Sequence, residues 1–349
     1  MDLSTLFFLS SGLFLGWTFG ANNMSSVFGT AIGTRMLSFK TAAIIASILI
    51  VLGAVFSGAG VSQTLQDLGQ INTLAGAFIT TLSAGVSLFF MTRAGLPVSS
   101  TQAIVGALIG WSLFVHVDIQ WEIVSQIVVS WFTSPLLAIL IAFLLTVSVK
   151  SFLKVHPVPM LYRDAYTRLG LVLAGAFCAY ALGANNIGNI MAPFVRVISL
   201  PTLQIGSLFE LSSAQQLFLI GGLAIVVGIF TYSKKVNTTI GQDVLQMSSI
   251  EAFIAIMSQG IVLLLFSSVT LHQFLVSRNL PAFPLVPISS IGAIVGGLIG
   301  VSLTKKGQGL KVKMLLRIMS AWIITPIIAA AVCFLALFFM QNVFGQEVF

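Results

Sequence analysis

The sequence that decides the fold is the tetrapeptide GANN at Gly20–Asn23, which recurs as GANN at Gly183–Asn186. The two copies stand at an offset of 183 − 20 = 163, and each lies inside an otherwise apolar run. Two identical polar tetrapeptides in hydrophobic sequence are improbable by chance. The repetition therefore predicts a chain built from two copies of one unit.

Two further pairs extend the repeat in the same order. The stretch PVSSTQAIVG at Pro97–Gly106 parallels PISSIGAIVG at Pro287–Gly296, at an offset of 287 − 97 = 190. The pattern WxxxP at Trp131–Pro135 parallels Trp322–Pro326, at an offset of 322 − 131 = 191. These pairs predict a first membrane repeat over residues 1–149, a cytoplasmic linker over 150–168 and a second repeat over 169–349.

Composition places this repeated chain in a membrane. Of its 349 residues, 57% are hydrophobic and 7% are charged, and the mean hydropathy is +1.06, whereas soluble domains contain about 25% charged residues. Ile123–Val149, Leu217–Tyr232 and Met314–Met340 are nearly uncharged, and a bilayer span needs roughly 20 such residues. Backbone polar groups in lipid must be satisfied internally, so these segments are predicted to be helices.

Each repeat is predicted to contain a broken span, a second span, a helical hairpin and a third long span. In the first repeat these are Leu3–Thr34, Thr41–Gly58, Ala75–Phe114 and Ile123–Val149. The hairpin arms, 75–91 and 99–114, are only about 25 Å long at 1.5 Å per residue, whereas the hydrocarbon core is about 30 Å thick. This favours a re-entrant hairpin whose turn lies inside the protein, where irregular backbone is tolerated at membrane depth.

The distribution of basic residues favours opposite orientations for the two repeats. Three crossings per repeat would make the second copy enter from the other side of the membrane. With the linker in the cytoplasm, 13 of the 16 basic residues fall on the cytoplasmic side, as the positive-inside rule requires. They are Arg35, Lys40, Lys150, Lys154, Arg163, Arg168, Lys234, Lys235, Lys305, Lys306, Lys311, Lys313 and Arg317. The prediction is an all-α integral membrane protein of two inverted-topology repeats, with both termini outside.

The net charge of +7 is therefore assigned to membrane orientation and not to nucleic-acid binding. The predicted location is the cell membrane, plasma or inner, with multiple crossings and lipid as a partner. A homo-oligomer is left open.

The duplicated polar residues predict an anion-binding site. Where a helix starts, its first N–H groups are unpaired and its dipole is positive, so a serine-rich start is suited to an anion. Asparagine amides add donors without charge, and an Asn within a helix competes for the backbone, which favours unwinding there. The predicted substrate-binding residues are Asn22, Asn23, Ser99, Ser100, Thr101, Asn185, Asn186, Ser289 and Ser290. Arg93 is a candidate counter-charge for the anion, although it could equally snorkel or pair with a carboxylate.

These motifs resemble those of the inorganic phosphate transporter (PiT) family, which carries a duplicated GANDxxN motif and a PVSTTH segment. Here the first copy reads GANNMSS at Gly20–Ser26 and the second reads GANNIGN at Gly183–Asn189. The resemblance spans nearly the whole chain. It implies phosphate uptake coupled to Na⁺ or H⁺, with the anion held by the motif asparagines and the hairpin hydroxyls.

The chain departs from the family pattern at four positions. The family has Asp where Asn23 and Asn186 stand, Asn where Ser26 stands, and often His where Gln102 stands. A carboxylate is the natural ligand of a hard cation, and an amide oxygen is a weaker one. The candidate coupling-ion residues are Asn23, Asn186, Asn189 and Gln102.

The predicted function is therefore a secondary phosphate transporter that works by alternating access, coupled to H⁺ or Na⁺. The alternatives are a sulfate permease of the same superfamily and a passive anion channel. No enzyme activity is expected, because the chain has no HExxH or GxSxG motif and no pair of acids within an apolar span. No metal site and no organic cofactor are expected.

Overall fold

A computed structural model describes residues 2–93, 98–157, 159–206, 209–234, 247–305 and 312–349 of the chain. The helices of the first half are α1 Leu3–Gly33, α2 Phe39–Ser57, α3 Ala59–Gly69, α4 Leu74–Arg93, α5 Ser100–Val115 and α6 Trp121–Val155. Those of the second half are α7 Met160–Val195, α8 Ser213–Thr231, α9 Ser249–Leu265, α10 Val269–Ser277, α11 Ser290–Leu303 and α12 Val312–Asn342. The prediction of a helical membrane protein is confirmed: among the described residues, seven helices are long and apolar enough to cross a bilayer, or eight if the bent pair α9 and α10 forms one span.

A small β hairpin accompanies the helices. Two short antiparallel strands, β1 Leu203–Ile205 and β2 Phe209–Leu211, join α7 to α8, with Leu203 opposite Leu211. Gln204 donates a side-chain hydrogen bond to Glu210 across the pair. Strands this short carry too little periodicity to be recognised in the sequence.

The same helix contacts occur in both halves. Gly20 of α1 lies so close to α8 that a Cβ there would overlap the backbone of Ile225, and Gly183 of α7 stands in the same relation to Ile50 of α2. The offset between the two glycines is 163, and that between their partners is 225 − 50 = 175. Helices of one half therefore pack against helices of the other half: α1 contacts α8, and α7 contacts α2. In the same way α5 packs on α12, and α11 on α6.

The predicted breaks at the asparagine pairs are absent, and this part of the prediction is wrong. Helices α1 and α7 run without interruption through Asn22–Asn23 and Asn185–Asn186. The Asn23 amide donates to Phe19 O, four residues earlier, at 3.2 Å, a bond that fits within a regular helix. Asn22 instead donates to Val98 O of the hairpin at 3.1 Å. Asn23 therefore bonds the local backbone without breaking the helix, whereas the amide of Asn22 is engaged by a tertiary bond.

The two hairpins differ in length. In the first, residues 94–99 join α4 to α5, and the turn residues Ala94–Pro97 lie outside the described part of the chain. In the second, α9 meets α10 at a bend of 63°, and residues 278–289 lead to the start of α11. Glycines at matching contacts give α4 and α9 an offset of 260 − 85 = 175, whereas the starts of α5 and α11 have an offset of 290 − 100 = 190. Because the offset rises between these points, the second hairpin contains an insertion.

The last turns of α6 and the first turns of α7 occupy most of the predicted linker 150–168. Helix α6 ends at Val155 and α7 begins at Met160. The side chain of Lys150 donates to Thr304 Oγ1 at the end of α11, at 3.0 Å. The division into repeats with a cytoplasmic linker remains a prediction.

Candidate functional site

The duplicated asparagines and serines lie together in the interior with four further polar residues, Thr101, Gln102, Asn189 and Gln259, and we call the whole set the polar cluster. Each of its members is at most 4% exposed. Its members are Asn22, Asn23, Asn185, Asn186, Asn189, Ser99, Ser100, Thr101, Gln102, Gln259, Ser289 and Ser290. Because an unpaired polar group in an apolar interior costs free energy, the contacts of each side chain indicate its role.

Asn185 binds the backbone that precedes α11. Its Nδ2 donates to Val286 O at 3.2 Å, and its Oδ1 accepts from Ile288 N at 2.9 Å. The extended segment 286–288 is thereby bonded to α7 in the way that a strand is bonded to its neighbour. Asn22 makes the corresponding kind of contact to Val98, just before α5. These two asparagines therefore position the starts of the second hairpin arms.

The second asparagine of each pair presents its oxygen to the cluster. The amide of Asn186 donates to Leu182 O at 3.1 Å, as that of Asn23 does to Phe19 O. The other polar atom of the Asn23 side chain, Oδ1, accepts from Ser290 Oγ at 2.6 Å. The Asn186 Oδ1 accepts from Asn189 Nδ2 at 3.0 Å. The two repeats thus each place one neutral amide oxygen, that of Asn23 or Asn186, in the cluster.

Asn189 and Thr101 connect the two halves. Asn189 Nδ2 also lies 3.1 Å from Thr101 Oγ1 and 3.5 Å from Ser100 Oγ. The Thr101 hydroxyl in turn donates to Ile288 O at 3.0 Å. The start of α5 is therefore bonded to α7 and to the segment before α11. A displacement of either hairpin would disturb the other.

The serines at the two helix starts are not equivalent. Ser289 Oγ caps α11 by accepting from Gly292 N at 3.0 Å. Ser99 stands at the N-cap of α5 but makes no side-chain capping bond. An uncapped start leaves N–H donors free, with the positive end of the helix dipole beside them. The backbone N–H groups at the start of α5 are therefore more available to an anion than those at the start of α11.

Several buried amides of the cluster have an atom that finds no hydrogen-bond partner among the residues the structure describes. They are Asn22 Oδ1, Asn189 Oδ1, Gln259 Oε1 and both polar atoms of Gln102. Leaving a buried polar atom unpaired costs about 1–3 kcal/mol. This region therefore contains four unpaired oxygen acceptors and one unpaired nitrogen donor. A suitable ligand would be polar, with its own acceptor atoms and with either a proton to donate or a bound cation.

Gln259 is the member that sequence reasoning missed. It lies on α9, where its Nε2 donates to Ser290 O at 3.1 Å. Helix α9 corresponds to α4 at an offset of 175, so the counterpart of Gln259 is Ala84. Repetition could therefore not identify Gln259. The only available signal was a single glutamine in the apolar run 249–265.

The structure places Arg93 apart from the polar cluster. Its side chain is exposed at the end of α4, whereas the cluster is buried. Among the side chains that the structure describes, Glu251 is the one charged group in the buried class, and it is paired with Lys305 at 2.7 Å. No group of three or more His, Cys, Asp or Glu able to hold a metal ion occurs within the described residues. The polar cluster itself is made of neutral side chains.

Comparison with known proteins connects this cluster to a family. The chain matches the phosphate transporter family over residues 19–277 and 279–348, which include every residue of the polar cluster. The chain belongs to the phosphate transporter family. This confirms the resemblance found in the GANN and PVSS motifs.

Relatives within the phosphate transporter family match along nearly their full length. An inferred phosphate permease of Methanocaldococcus jannaschii is 26% identical, with 96% of this chain and 97% of the relative covered. One from Thermococcus kodakarensis is 23% identical, with 95% and 96% covered. A solved structure titled the sodium-dependent phosphate transporter superposes with a TM-score of 0.78 at 21% identity, covering 97% of this chain and 99% of that one. These relatives are permeases and transporters, not enzymes, as predicted.

Proposed function

We propose that this protein is a secondary transporter that moves inorganic phosphate across a cell membrane by alternating access, with the anion held between the two repeats. The observation that supports this most is the network that joins Asn189, Thr101 and Ile288, because it unites helix starts from both halves around neutral donors. A dehydrated oxyanion needs several such donors at once in a low-dielectric interior. Membership of the phosphate transporter family supports the choice of substrate.

The unpaired acceptors favour phosphate over sulfate. At neutral pH a phosphate ion keeps at least one proton and can donate it, whereas sulfate has none to donate. Asn22 Oδ1, Asn189 Oδ1 and Gln259 Oε1 are buried acceptors with no donor in the described part of the chain. A site built to accept a substrate hydroxyl rejects an analogue without it, because the acceptor is then left unpaired.

Competition of anions in proteoliposomes tests this proposal. We expect uptake of labelled phosphate to be suppressed by unlabelled phosphate, and sulfate to need about a tenfold or higher concentration for the same effect, since an unpaired acceptor costs about 1–3 kcal/mol. The internal phosphate concentration is measured too, in the presence of a proton or sodium gradient. Equal competition by sulfate would remove the argument for phosphate. Failure to accumulate phosphate above the external concentration would favour a passive channel.

We further propose that a coupling cation, H⁺ or Na⁺, binds among the amide oxygens of Asn23, Asn186, Asn189 and Gln102. Oxygen atoms from side chains and backbone coordinate coupling ions in transporters of inverted-repeat design. Within the described residues the Gln102 and Asn189 oxygens have no hydrogen-bond partner, and the oxygens of Asn23 and Asn186 bond to members of the same cluster. An amide holds a cation less firmly than a carboxylate. We infer that any sodium dependence of the natural sequence is weak.

Restoring the carboxylates should increase the sodium dependence. In a variant with Asn23→Asp and Asn186→Asp, we expect Na⁺ to stimulate phosphate uptake by roughly tenfold more than in the natural protein, because a buried carboxylate is costly until a cation neutralises it. The measurement is uptake at several Na⁺ concentrations with choline as the replacement ion. Asn342→Asp is the matched control, since Asn342 also donates to the carbonyl four residues earlier but is exposed. Uptake that stays indifferent to Na⁺ in the double variant would count against this assignment.

A further inference from the structure

A groove separate from the polar cluster lies between α6, α7 and α9. It has a volume of about 170 Å³. Leu153 of α6 and Phe253 of α9 contribute apolar walls, and Gly170 of α7 lines the space between them. Arg163 and Tyr166 line the groove where α7 begins. The groove is thus apolar over most of its surface and basic at one end.

The lengths of the helices place this groove at a membrane surface. Helix α6 has 35 residues, or about 52 Å at 1.5 Å per residue, which exceeds the roughly 40–45 Å of a bilayer with its headgroups. At least one end of α6 therefore leaves the hydrocarbon core, and Lys150 and Lys154 indicate that its last turns do so. Tyr162 and Tyr166 at the start of α7 are 59% and 62% exposed, and exposed tyrosines are typical of the headgroup level.

The groove lies in a strongly basic part of the chain. Residues 150–170 contain four basic side chains, those of Lys150, Lys154, Arg163 and Arg168, against one acid, Asp164. Lys154 and Arg163 are exposed. Neither is paired with a carboxylate within the described residues. Both are therefore free to bind an external anion.

The internal repeat provides a comparison for this groove. Gly170 corresponds to Phe7, at 170 − 163, and Phe253 to Phe78, at 253 − 175. The Phe253 ring lies over Gly170, 3.4 Å from where a Cβ would stand, and both residues line the groove, whereas the rings of Phe7 and Phe78 stack with centroids 5.4 Å apart. The fold thus creates the same position twice, and in the first repeat two stacked aromatic rings occupy it.

We propose that this groove binds an anionic phospholipid. One acyl chain lies along the apolar walls beside Gly170. The lipid phosphate contacts Arg163, which lines the groove, and Lys154, which is exposed next to the lining residue Leu153. A basic pocket between membrane helices is suited to such headgroups, and each basic residue near the surface contributes about 1 kcal/mol. The bound lipid holds α6, α7 and α9 together where α7 enters the membrane. This proposal does not depend on which anion the protein transports.

Native mass spectrometry of the purified full-length protein tests the proposal with phosphatidylglycerol as the probe. We expect phosphatidylglycerol to bind and phosphatidylcholine of the same chain length to bind much more weakly. Lys154→Gln with Arg163→Gln should weaken binding about 25-fold, or fivefold for each charge removed. Gly170→Phe, which copies the residue of the first repeat, should abolish retention of the lipid by filling the groove. Size-exclusion chromatography checks that each variant remains assembled.

Lys40→Gln is the matched control, because Lys40 is exposed, basic and predicted to lie on the same side of the membrane. We expect it to leave phosphatidylglycerol binding unchanged. An equal loss in Lys40→Gln would show general surface attraction and overturn the proposal. Unchanged binding in an assembled Gly170→Phe variant, or equal binding of phosphatidylcholine, would do the same. Displacement of the lipid by millimolar inorganic phosphate would identify a site for the free anion instead.

Discussion

Replacing Ser100 and Ser290 by alanine together is expected to weaken phosphate binding by 100-fold or more while the helices stay assembled. Hydrogen bonds to charged groups contribute about 1.5–3 kcal/mol each, and two such losses of about 3 kcal/mol in total correspond to more than 100-fold in affinity. Ser290 also orients Asn23 Oδ1 at 2.6 Å. Its removal therefore disturbs a neighbour as well as deleting a donor.

Equilibrium binding of labelled phosphate to the purified protein measures this effect. The control is Ser112→Ala with Ser267→Ala, because these serines are as buried but donate only to carbonyls four residues earlier, Leu108 O and Leu263 O. The control should bind phosphate as the natural protein does. Circular dichroism and size-exclusion chromatography verify the fold of both variants. Affinity within about threefold of the natural value in the Ser100 and Ser290 variant would refute the site, since the loss of one ordinary hydrogen bond already costs about 1 kcal/mol.

The membrane class and every member of the polar cluster except Gln259 could be predicted because buried polar residues are costly. A tetrapeptide such as Gly20–Asn23 in apolar sequence needs partners, and its recurrence at Gly183–Asn186 indicated that the partners come in two sets. The family resemblance added Asn189 and Gln102. Burial of all these side chains at 4% exposure or less agrees with that reasoning. Their roles in binding remain proposals.

The continuity of α1 and α7 could not be predicted from local rules. The tendency of asparagine to compete for the backbone favoured a break, but Asn22 and Asn185 bond to Val98, Val286 and Ile288 instead. Those partners are 76 or more residues away in the chain. Tertiary contacts at such distances override local preference.

Differences between the two repeats could not be predicted from the sequence either. The insertion in the second hairpin includes α10, and it interrupts the correspondence on which the repeat argument relied. Gln259 faces the cluster from α9, but Ala84 stands at the equivalent place. A pattern based on duplication finds what the copies share. It cannot identify a residue that is present in only one copy.

The second large effect is expected from Asn185→Leu, which keeps the approximate volume of the side chain but removes both of its bonds. The buried Val286 O and Ile288 N would lose their partner. Leaving two such groups unpaired costs about 2–6 kcal/mol at about 1–3 kcal/mol each. We therefore expect the segment before α11 to open locally and phosphate binding to fall by 100-fold or more, a factor that corresponds to about 2.7 kcal/mol.

Hydrogen exchange followed by mass spectrometry distinguishes this opening from a general loss of stability. The Ile288 N–H should exchange about 30-fold faster or more, because local opening free energy sets the protection of an amide. Amides in the middle of α6 should be unaffected. Asn342→Leu, at the exposed end of α12, is the control and should change neither region. Unchanged protection at Ile288 would show that Asn185 does not hold this segment.

The consequences of Asn185→Leu should extend into the first repeat. Ile288 is bonded on its N–H side to Asn185 and on its carbonyl side to Thr101, which also contacts Asn189. Release of Ile288 would therefore free the Thr101 hydroxyl at the start of α5. We expect exchange to increase near Thr101 as well, although no atom of Asn185 bonds to it. The two helix starts would then behave as one cooperative unit, which is what binding of a single anion by both repeats requires.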